Sequence, residues 1–298
     1  MTLKLGIIGL SEGNGHPYSW SAIFNGYDHD SMKDCGYPVI PEYLKKQNWP
    51  NDQIKDARVT SVWTQNKELT SHIAKASLIS NSLSNIAEMI EYNDAILLAR
   101  DDAENHLKYS KIFLEAGMPI YIDKPIALSV QCLKDLYKFE QYEGQIFTCS
   151  ALRYSPELML SDADKSKLGK IISIEASTPK SWQKYAVHII EPVINILDDC
   201  DYPVFYKKLD SSIEQTKLEV KWKSGVETIF SSLGNINEPI KIKVFGKLGS
   251  QELIFSDSFN AFKNALQDFI DGIRNNDCNS PYKYNEKVVN IIEQGMKT

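Results

Sequence analysis

The sequence predicts an α/β protein in two parts, a parallel-sheet half followed by an α+β half on a mostly antiparallel open sheet. Three observations predict it. Short apolar strands alternate with helical periods up to about residue 125. From about residue 145 onward, strands follow one another with little helix between them. The length of 298 residues suits two domains of ordinary size.

Leu3–Leu10 is a continuous apolar run and reads as a buried first strand. Val59–Trp63, rich in β-branched residues, reads as the second. Ile86, Met89 and Ile90 within Asn85–Tyr92 keep helical spacing and lead into the apolar strand Ala95–Ala99. Asn105–Ala116 repeats that period through Leu107, Ile112, Phe113 and Leu114, with Gly117 as the C-terminal stop. Pro119–Ile122 is the next strand. Such alternation implies right-handed βαβ units and a parallel sheet.

In the second half, Ile171–Ser177, Val204–Leu209, Lys217–Trp222, Glu227–Ser231 and Lys241–Phe245 read as strands. Leu218, Val220 and Trp222 alternate with Lys217, Glu219 and Lys221, so one face is buried and the other wet. Ser224-Gly225 suits a hairpin turn. Phe259–Ile273 carries an apolar face of Phe262, Leu266, Phe269, Ile270 and Ile273, a final helix packing back on the body. The division expected is 1–126 and 127–298, with an insertion at about 25–57 that delays the second strand.

Composition narrows the function classes. Lys plus Arg is 33 and Asp plus Glu is 39, a formal charge of −6, which lacks the basic footprint of a nucleic-acid binder. The 43% hydrophobic share excludes wholesale disorder. Apolar runs such as Ala95–Ala99 are far shorter than the ~20 residues that cross a bilayer. The apolar run near Met1 is too short for a signal peptide. Cys35, Cys132, Cys149, Cys200 and Cys278 are scattered, odd in number and form no C-x-x-C. They read as reduced thiols of a cytoplasmic protein with no metal site, no membrane and no nucleic-acid partner.

Two turns carry candidate chemistry. Gly9-Leu10-Ser11-Glu12-Gly13-Asn14-Gly15-His16 follows the first strand and precedes a helix, the context of a dinucleotide turn. Only Gly9 is in register with G-x-G-x-x-G, since Ser11 and Asn14 stand at the next two positions, so the turn reads either as a reshaped nucleotide loop or as a merely tight turn. His16 either faces the cofactor or caps the helix. The second strand ends at Thr64-Gln65-Asn66-Lys67 without the acid that grips a ribose. Thr64 or Asn66 could bond a ribose hydroxyl, Lys67 could pair with a 2′-phosphate, or the stretch is an ordinary polar turn. The choice of NAD or NADP stays open. The 25–57 stretch reads either as a surface insertion or as a flap near the cofactor cleft. Asp123-Lys124-Pro125 ends a parallel strand, where Lys124 is either a positioned cation or a solvated turn residue.

With Glu115-Ala116-Gly117 before it and Ile126-Ala127-Leu128 after it, this tripeptide resembles the Glu-Lys-Pro motif of the glucose–fructose oxidoreductase / inositol dehydrogenase (Gfo/Idh/MocA) family. Arg100 to His106, Leu152-Arg153-Tyr154-Ser155-Pro156 and the helix from Phe259 are similar to that family as well, so the resemblance covers nearly the whole chain. It implies an N-terminal Rossmann domain and an oxidoreductase that uses NAD or NADP on a hydroxyl or carbonyl of a sugar, sugar nucleotide or polyol. The cofactor-binding candidates are Gly9, Ser11, Gly13, Asn14, His16, Thr64, Gln65, Arg100, His106, Asp123 and Lys124.

The resemblance places a catalytic aspartate and histidine four residues apart. His188 matches the histidine, Glu191 resembles a downstream acid, and Lys184 stands in the aspartate position. On a helix these three share a face. Pro192 argues that the helix begins near His188 and leaves Lys184 in the preceding loop. His188 reads either as a packed histidine or as the base, with Lys124 holding the substrate oxygen or relaying its proton. Lys124 and His188 are the catalytic candidates, and Arg153, Lys184 and Glu191 the substrate-binding ones. The open sheet of the second domain suggests a homodimer or homotetramer. The alternative is a non-catalytic nucleotide- or sugar-binding protein of the same fold, favoured by the irregular glycine register, the missing ribose acid and Lys184.

Overall fold

The computed structural model describes residues 2–197, 201–210, 212 and 214–297. In chain order, β1 (Leu3–Ile8) leads to α1 (His16–Asn25), α2 (His29–Lys33), α3 (Val39–Leu44), β2 (Ala57–Trp63), α4 (Lys67–Ala76) and β3 (Asn81–Ser82). Then come α5 (Met89–Tyr92), β4 (Ala95–Leu98), α6 (His106–Glu115), β5 (Ile120–Ile122), α7 (Val130–Tyr137) and β6 (Ile146–Phe147). The remainder is α8 (Asp162–Leu168), β7 (Ile171–Thr178), α9 (Trp182–Tyr185), α10 (Val187–Ile196), β8 (Pro203–Leu209), β9 (Thr216–Trp222), β10 (Glu227–Ser232), β11 (Lys241–Gly246), β12 (Ser250–Ile254), α11 (Ser258–Asn275) and α12 (Tyr282–Met296).

Two compact units emerge. The first comprises residues 1–127, 131–148 and 265–281, and the second 128–130, 149–264 and 282–298. A single cut between 126 and 127 therefore does not separate them. Residues 131–148 fall in the first unit because β6 extends its sheet by pairing parallel with β5.

The first unit holds a six-stranded sheet in the order β3-β2-β1-β4-β5-β6, with every pair parallel. Its apolar strands are buried, with Leu5, Ile7, Ile8, Val62, Leu97 and Ile122 all fully enclosed. Each such side chain contributes roughly 1.5–3 kcal/mol of burial. Strand order reverses between β1 and β4, which places a ligand crevice outside the carboxyl ends of those strands. Trp20 of α1 stacks on Tyr121 of β5 at 4.7 Å, and Phe147 and Phe269 pack against the same tyrosine.

Residues 25–57 differ from the surface insertion expected. They form α2 and α3, and they bury Met32, Cys35, Ile40, Leu44 and Ile54. Asp28 caps α2 by accepting the Ser31 N–H at 2.8 Å. The apolar residues spaced between the glycines and prolines pack as helices beside α1 and α4, so the stretch is part of the core.

The second unit holds the sheet β12-β11-β7-β10-β9-β8, antiparallel except for the β7–β10 pair. Leu218, Val220 and Trp222 of β9 are buried as their alternation predicts. The Ser224-Gly225 turn joins β9 to β10, with Trp222 N–H donating to the Val226 carbonyl at 2.9 Å. The hydrophobic face of this sheet packs with α10 and α12. The apolar helix from Phe259 is present as α11, but the chain ends on a further helix, α12, which buries Val288, Val289, Ile291 and Ile292. Cys35 and Cys278 are free thiols, Cys149 is buried and Cys132 exposed, and Cys200 lies outside the described residues.

Candidate active site

In the first unit, the turn after β1 meets the carboxyl ends of β4 and β5. Ser11 Oγ donates to Asp101 Oδ1 at 2.7 Å and accepts the Asp101 N–H at 3.0 Å, bridging β1 to β4 across the strand-order reversal. Asn14 donates its side-chain N–H to Asp123 Oδ2 at 2.8 Å, and its Oδ1 accepts the His16 N–H at 2.8 Å. The His16 ring reaches the same Asp123 oxygen through Nδ1 at 2.6 Å and stacks on Trp20. His16 is thus the first residue of α1, held by its ring on a carboxylate, and not the helix cap. Burial pushes the Asp123 carboxyl up, but the charges of His16 and Lys124 and the hydrogen bonds from His16 and Asn14 outweigh it. They hold Asp123 ionised well below the usual carboxylate range.

The glycines keep the turn open and tight. Gly13 has φ +78 and no atom within 4 Å of where a Cβ would stand. A Cβ on Gly15 would come within 2.5 Å of Ile40 Cδ1 and 2.8 Å of Tyr37 Cγ. Residues 37–40 therefore form the wall behind the turn. Glu12 and Gly13 are exposed, and their amides have no acceptor among the described residues. An open loop with exposed residues and uncommitted amides at a parallel strand end fits a pyrophosphate. Glu12 and Gly13 would hold it.

Other expected cofactor residues have internal partners. Gln65 clasps Leu10 from both sides, with Leu10 N–H donating to Oε1 at 3.1 Å and Nε2 donating to the Leu10 carbonyl at 2.7 Å. Arg100 donates to that carbonyl and to Gln65 Oε1, each at 3.0 Å, and grips the Asp102 carboxylate through Nε and Nη2. Both residues shape the turn from beneath. The Thr64 hydroxyl is buried among Thr70 Oγ1 and the Asn66 backbone, and Asn66 caps α4 by accepting the Leu69 N–H. Their side chains serve the start of α4. His106 is fully buried, with Nδ1 facing the Ile126 carbonyl at 3.0 Å and Nε2 the Arg100 carbonyl at 2.7 Å. It ties the end of β4 to the segment after Lys124, a structural position. Lys124 follows Asp123 directly, and its N–H donates to Asp123 Oδ1 at 2.8 Å.

In the second unit, α10 supplies His188 and Glu191, and the short turn of 151–154 supplies Arg153. Lys184 lies in α9, not in a loop, with Ala186 in helical conformation between α9 and α10. Pro192 sits inside α10 and has no N–H for the His188 carbonyl. Tyr185 packs edge-on against the His188 ring at 5.2 Å. Ser150, which carries no sequence signal, lies 2.7 Å from His188 Nδ1 through its hydroxyl. Its N–H donates to Glu191 Oε1 at 3.0 Å. Glu191 Oε2 is buried with no hydrogen-bond partner among the described residues. Burial raises the Glu191 carboxyl to about 7, against the pull of the Arg153 charge and the Ser150 N–H. The Arg153 guanidinium lies 4.3 Å from the Tyr284 ring centre.

The family model described as an oxidoreductase family with an NAD-binding Rossmann fold matches residues 36–150. That model is of the Gfo/Idh/MocA family, which the matched residues resemble. That span runs from the wall behind the glycine turn, through Asp123 and Lys124, to Ser150. Among curated proteins, none matches this chain in sequence. The fold of the whole chain recurs in solved structures. Myo-inositol 2-dehydrogenase from Lactobacillus plantarum is 15% identical with a TM-score of 0.74, over 98% of this chain and 96% of that one. Scyllo-inositol dehydrogenase from Lactobacillus casei, solved with bound NAD(H) and scyllo-inositol, is 14% identical with a TM-score of 0.70, over 98% and 95%. UDP-N-acetylglucosamine 3-dehydrogenase from Acidithiobacillus ferrooxidans is 12% identical with a TM-score of 0.68, over 99% and 97%. Among the described residues, no helix is long and apolar enough to cross a membrane, and no group of three or more His, Cys, Asp or Glu could hold a metal.

Proposed function

We propose that this chain is an NAD- or NADP-dependent oxidoreductase that interconverts a hydroxyl and a carbonyl on a sugar, sugar nucleotide or polyol. One observation carries the reading. Asp123 binds the glycine turn through Asn14 and His16 and stands directly before Lys124, so the cofactor loop and the strand-end lysine are fixed by one buried carboxylate. The oxidoreductase-family match and relatives named as inositol and UDP-N-acetylglucosamine dehydrogenases support the substrate class.

When bound, the nicotinamide accepts or returns the hydride. The exposed loop amides of Glu12 and Gly13 would hold the pyrophosphate, and Gln65 and Arg100 keep the Leu10 backbone in place. Lys124 suits the holding of a substrate oxygen by its charge, and His188 suits proton exchange with a hydroxyl or carbonyl oxygen. Arg153, Lys184 and Glu191 line the substrate side in this reading. The free thiols Cys35 and Cys278 suit a reducing cytoplasm. Exposed Ile172, Phe205 and Ile254 on the second unit's sheet support a homodimer or homotetramer through that sheet.

The test is nicotinamide absorbance with NAD or NADP against a panel including myo-inositol, scyllo-inositol and UDP-N-acetylglucosamine, alongside calorimetric titration of both cofactors. Turnover with any panel member is the expected result. Lys184 in the place of an aspartate favours a second reading, a cofactor-binding protein without turnover, which binding with no reaction would support. Neither binding nor turnover would sink both.

A further inference from the structure

The Ser150 side chain decides which nitrogen of His188 carries the proton. Ser150 is fully buried, so its hydroxyl hydrogen has to find an acceptor within the protein. One lone pair of Oγ takes the Leu152 N–H at 3.2 Å, and the Ser150 N–H is anchored on Glu191 Oε1. These two bonds aim the hydroxyl, and the acceptor 2.7 Å away among the described residues is His188 Nδ1. With Ser150 donating there, every polar atom of the serine side chain is satisfied. Were Nδ1–H the donor instead, the Ser150 hydroxyl hydrogen would be left buried without an acceptor.

The geometry points to Ser150 as a positioning residue that holds neutral His188 as the Nε2–H tautomer, with Glu191 pinning Ser150 in place. The inference deepens the oxidoreductase reading and rests on it for its functional meaning. A neutral ring with hydrogen on Nε2 offers that hydrogen to an oxygen and cannot take one there. The resting site is thereby matched to the carbonyl form of the substrate, a keto sugar or keto polyol, as a hydrogen-bond donor to its oxygen. Accepting a proton from an alcohol at Nε2 first requires the Ser150 hydroxyl to turn away, so that Nδ1–H donates to Oγ. Glu191 Oε1 accepts the Ser150 N–H in either protonation state of the carboxyl, so the serine stays pinned across the pH range of the measurement.

The experiment is side-chain ¹⁵N NMR of the full-length, histidine-labelled protein in mildly alkaline buffer, with the His188 signals assigned by their loss in His188→Asn. The wild type is expected to show Nε2–H with Nδ1 bare, and Ser150→Ala to lose that preference for a mixture of tautomers. With an active substrate, Ser150→Ala should lower kcat about tenfold to a hundredfold while KM stays within about threefold. An Nδ1–H tautomer in the wild type overturns the proposal, and so does an unchanged tautomer in folded Ser150→Ala. If Ser150→Ala does not fold, the wild-type tautomer alone decides. The spectrum needs no turnover, so the role of Ser150 is tested even in a protein that turns over no member of the substrate panel.

Discussion

His16 Nδ1 lies 2.6 Å from Asp123 Oδ2, joining two residues 107 positions apart at the carboxyl edge of the parallel sheet. Asp123 has three further demands on it, from Asn14, from its own neighbour's N–H and from the Lys124 charge. Asp123→Asn keeps the shape but removes the charge, leaving His16 and Lys124 without their anion. The variant should lose about 2–4 kcal/mol, read as a melting temperature lower by roughly 5–12 °C, and should bind NAD more weakly in calorimetry. The pH dependence has a definite sign. Because the folded carboxyl ionises at a lower pH than the unfolded one, its stabilisation is present above the ordinary carboxylate range and fades as pH falls toward the folded value. Acid melts should therefore be steeper for the wild type than for Asp123→Asn.

Gly15→Ala should disturb the same turn sterically. The added methyl meets Ile40 Cδ1 and Tyr37 Cγ, at a cost of about 1–3 kcal/mol in a wall that is already packed. Thermal melts and NAD titrations should both report the loss. Adding Ile40→Val removes the nearest atom, so the double variant should recover part of it, and no recovery would show that Tyr37 or the backbone is the obstacle.

Lys124→Ala and His188→Asn separate chemistry from binding. Each should lower kcat by about a hundredfold or more, while the dissociation constant for NAD changes little. Unchanged turnover in Lys124→Ala would remove its assigned role. Loss of folding in His188→Asn, seen by thermal melt, would return His188 to the packed-histidine reading.

Glu191 predicts the opposite pH trend from Asp123. Its folded pKa of about 7 lies above the ordinary glutamate value, so the native state holds a proton that the unfolded chain releases. Stability should fall as pH rises from about 4.5 to 7, by up to roughly 3 kcal/mol, and level off above. Glu191→Gln, which mimics the protonated acid, should flatten that slope in denaturant titrations across the same range.

Legibility in the sequence tracked the range over which each feature is encoded. Leu3–Leu10, Ala95–Ala99 and Lys217–Trp222 announce themselves because burial imposes a local period that a few residues carry. Two-residue strands such as Asn81–Ser82 and Ile146–Phe147 are too short to show one. Asp123-Lys124 stood out as a motif, yet its partners His16 and Asn14 are chosen by tertiary contact across more than a hundred positions. Gln65 illustrates the same limit. Its strand-end position makes it a cofactor-binding candidate, and the fold turns its carboxamide onto Leu10, 55 residues away. A lone serine such as Ser150 has no spacing to betray it. Residues 25–57 misled because glycines and prolines read as loop, while the buried Met32, Ile40 and Leu44 among them form helices against α1 and α4.

Phe269 packs against both Tyr121 and Phe147, and residues 265–281 belong to the first unit. During synthesis the amino-terminal half therefore leaves the ribosome before its own closing segment exists. The last sheet strands of that unit must wait, with their aromatic surface uncovered, until residues 265–281 have been made. A fragment ending near residue 126 should consequently be prone to aggregate, and the first unit is finished only after the sheet of the second has been made.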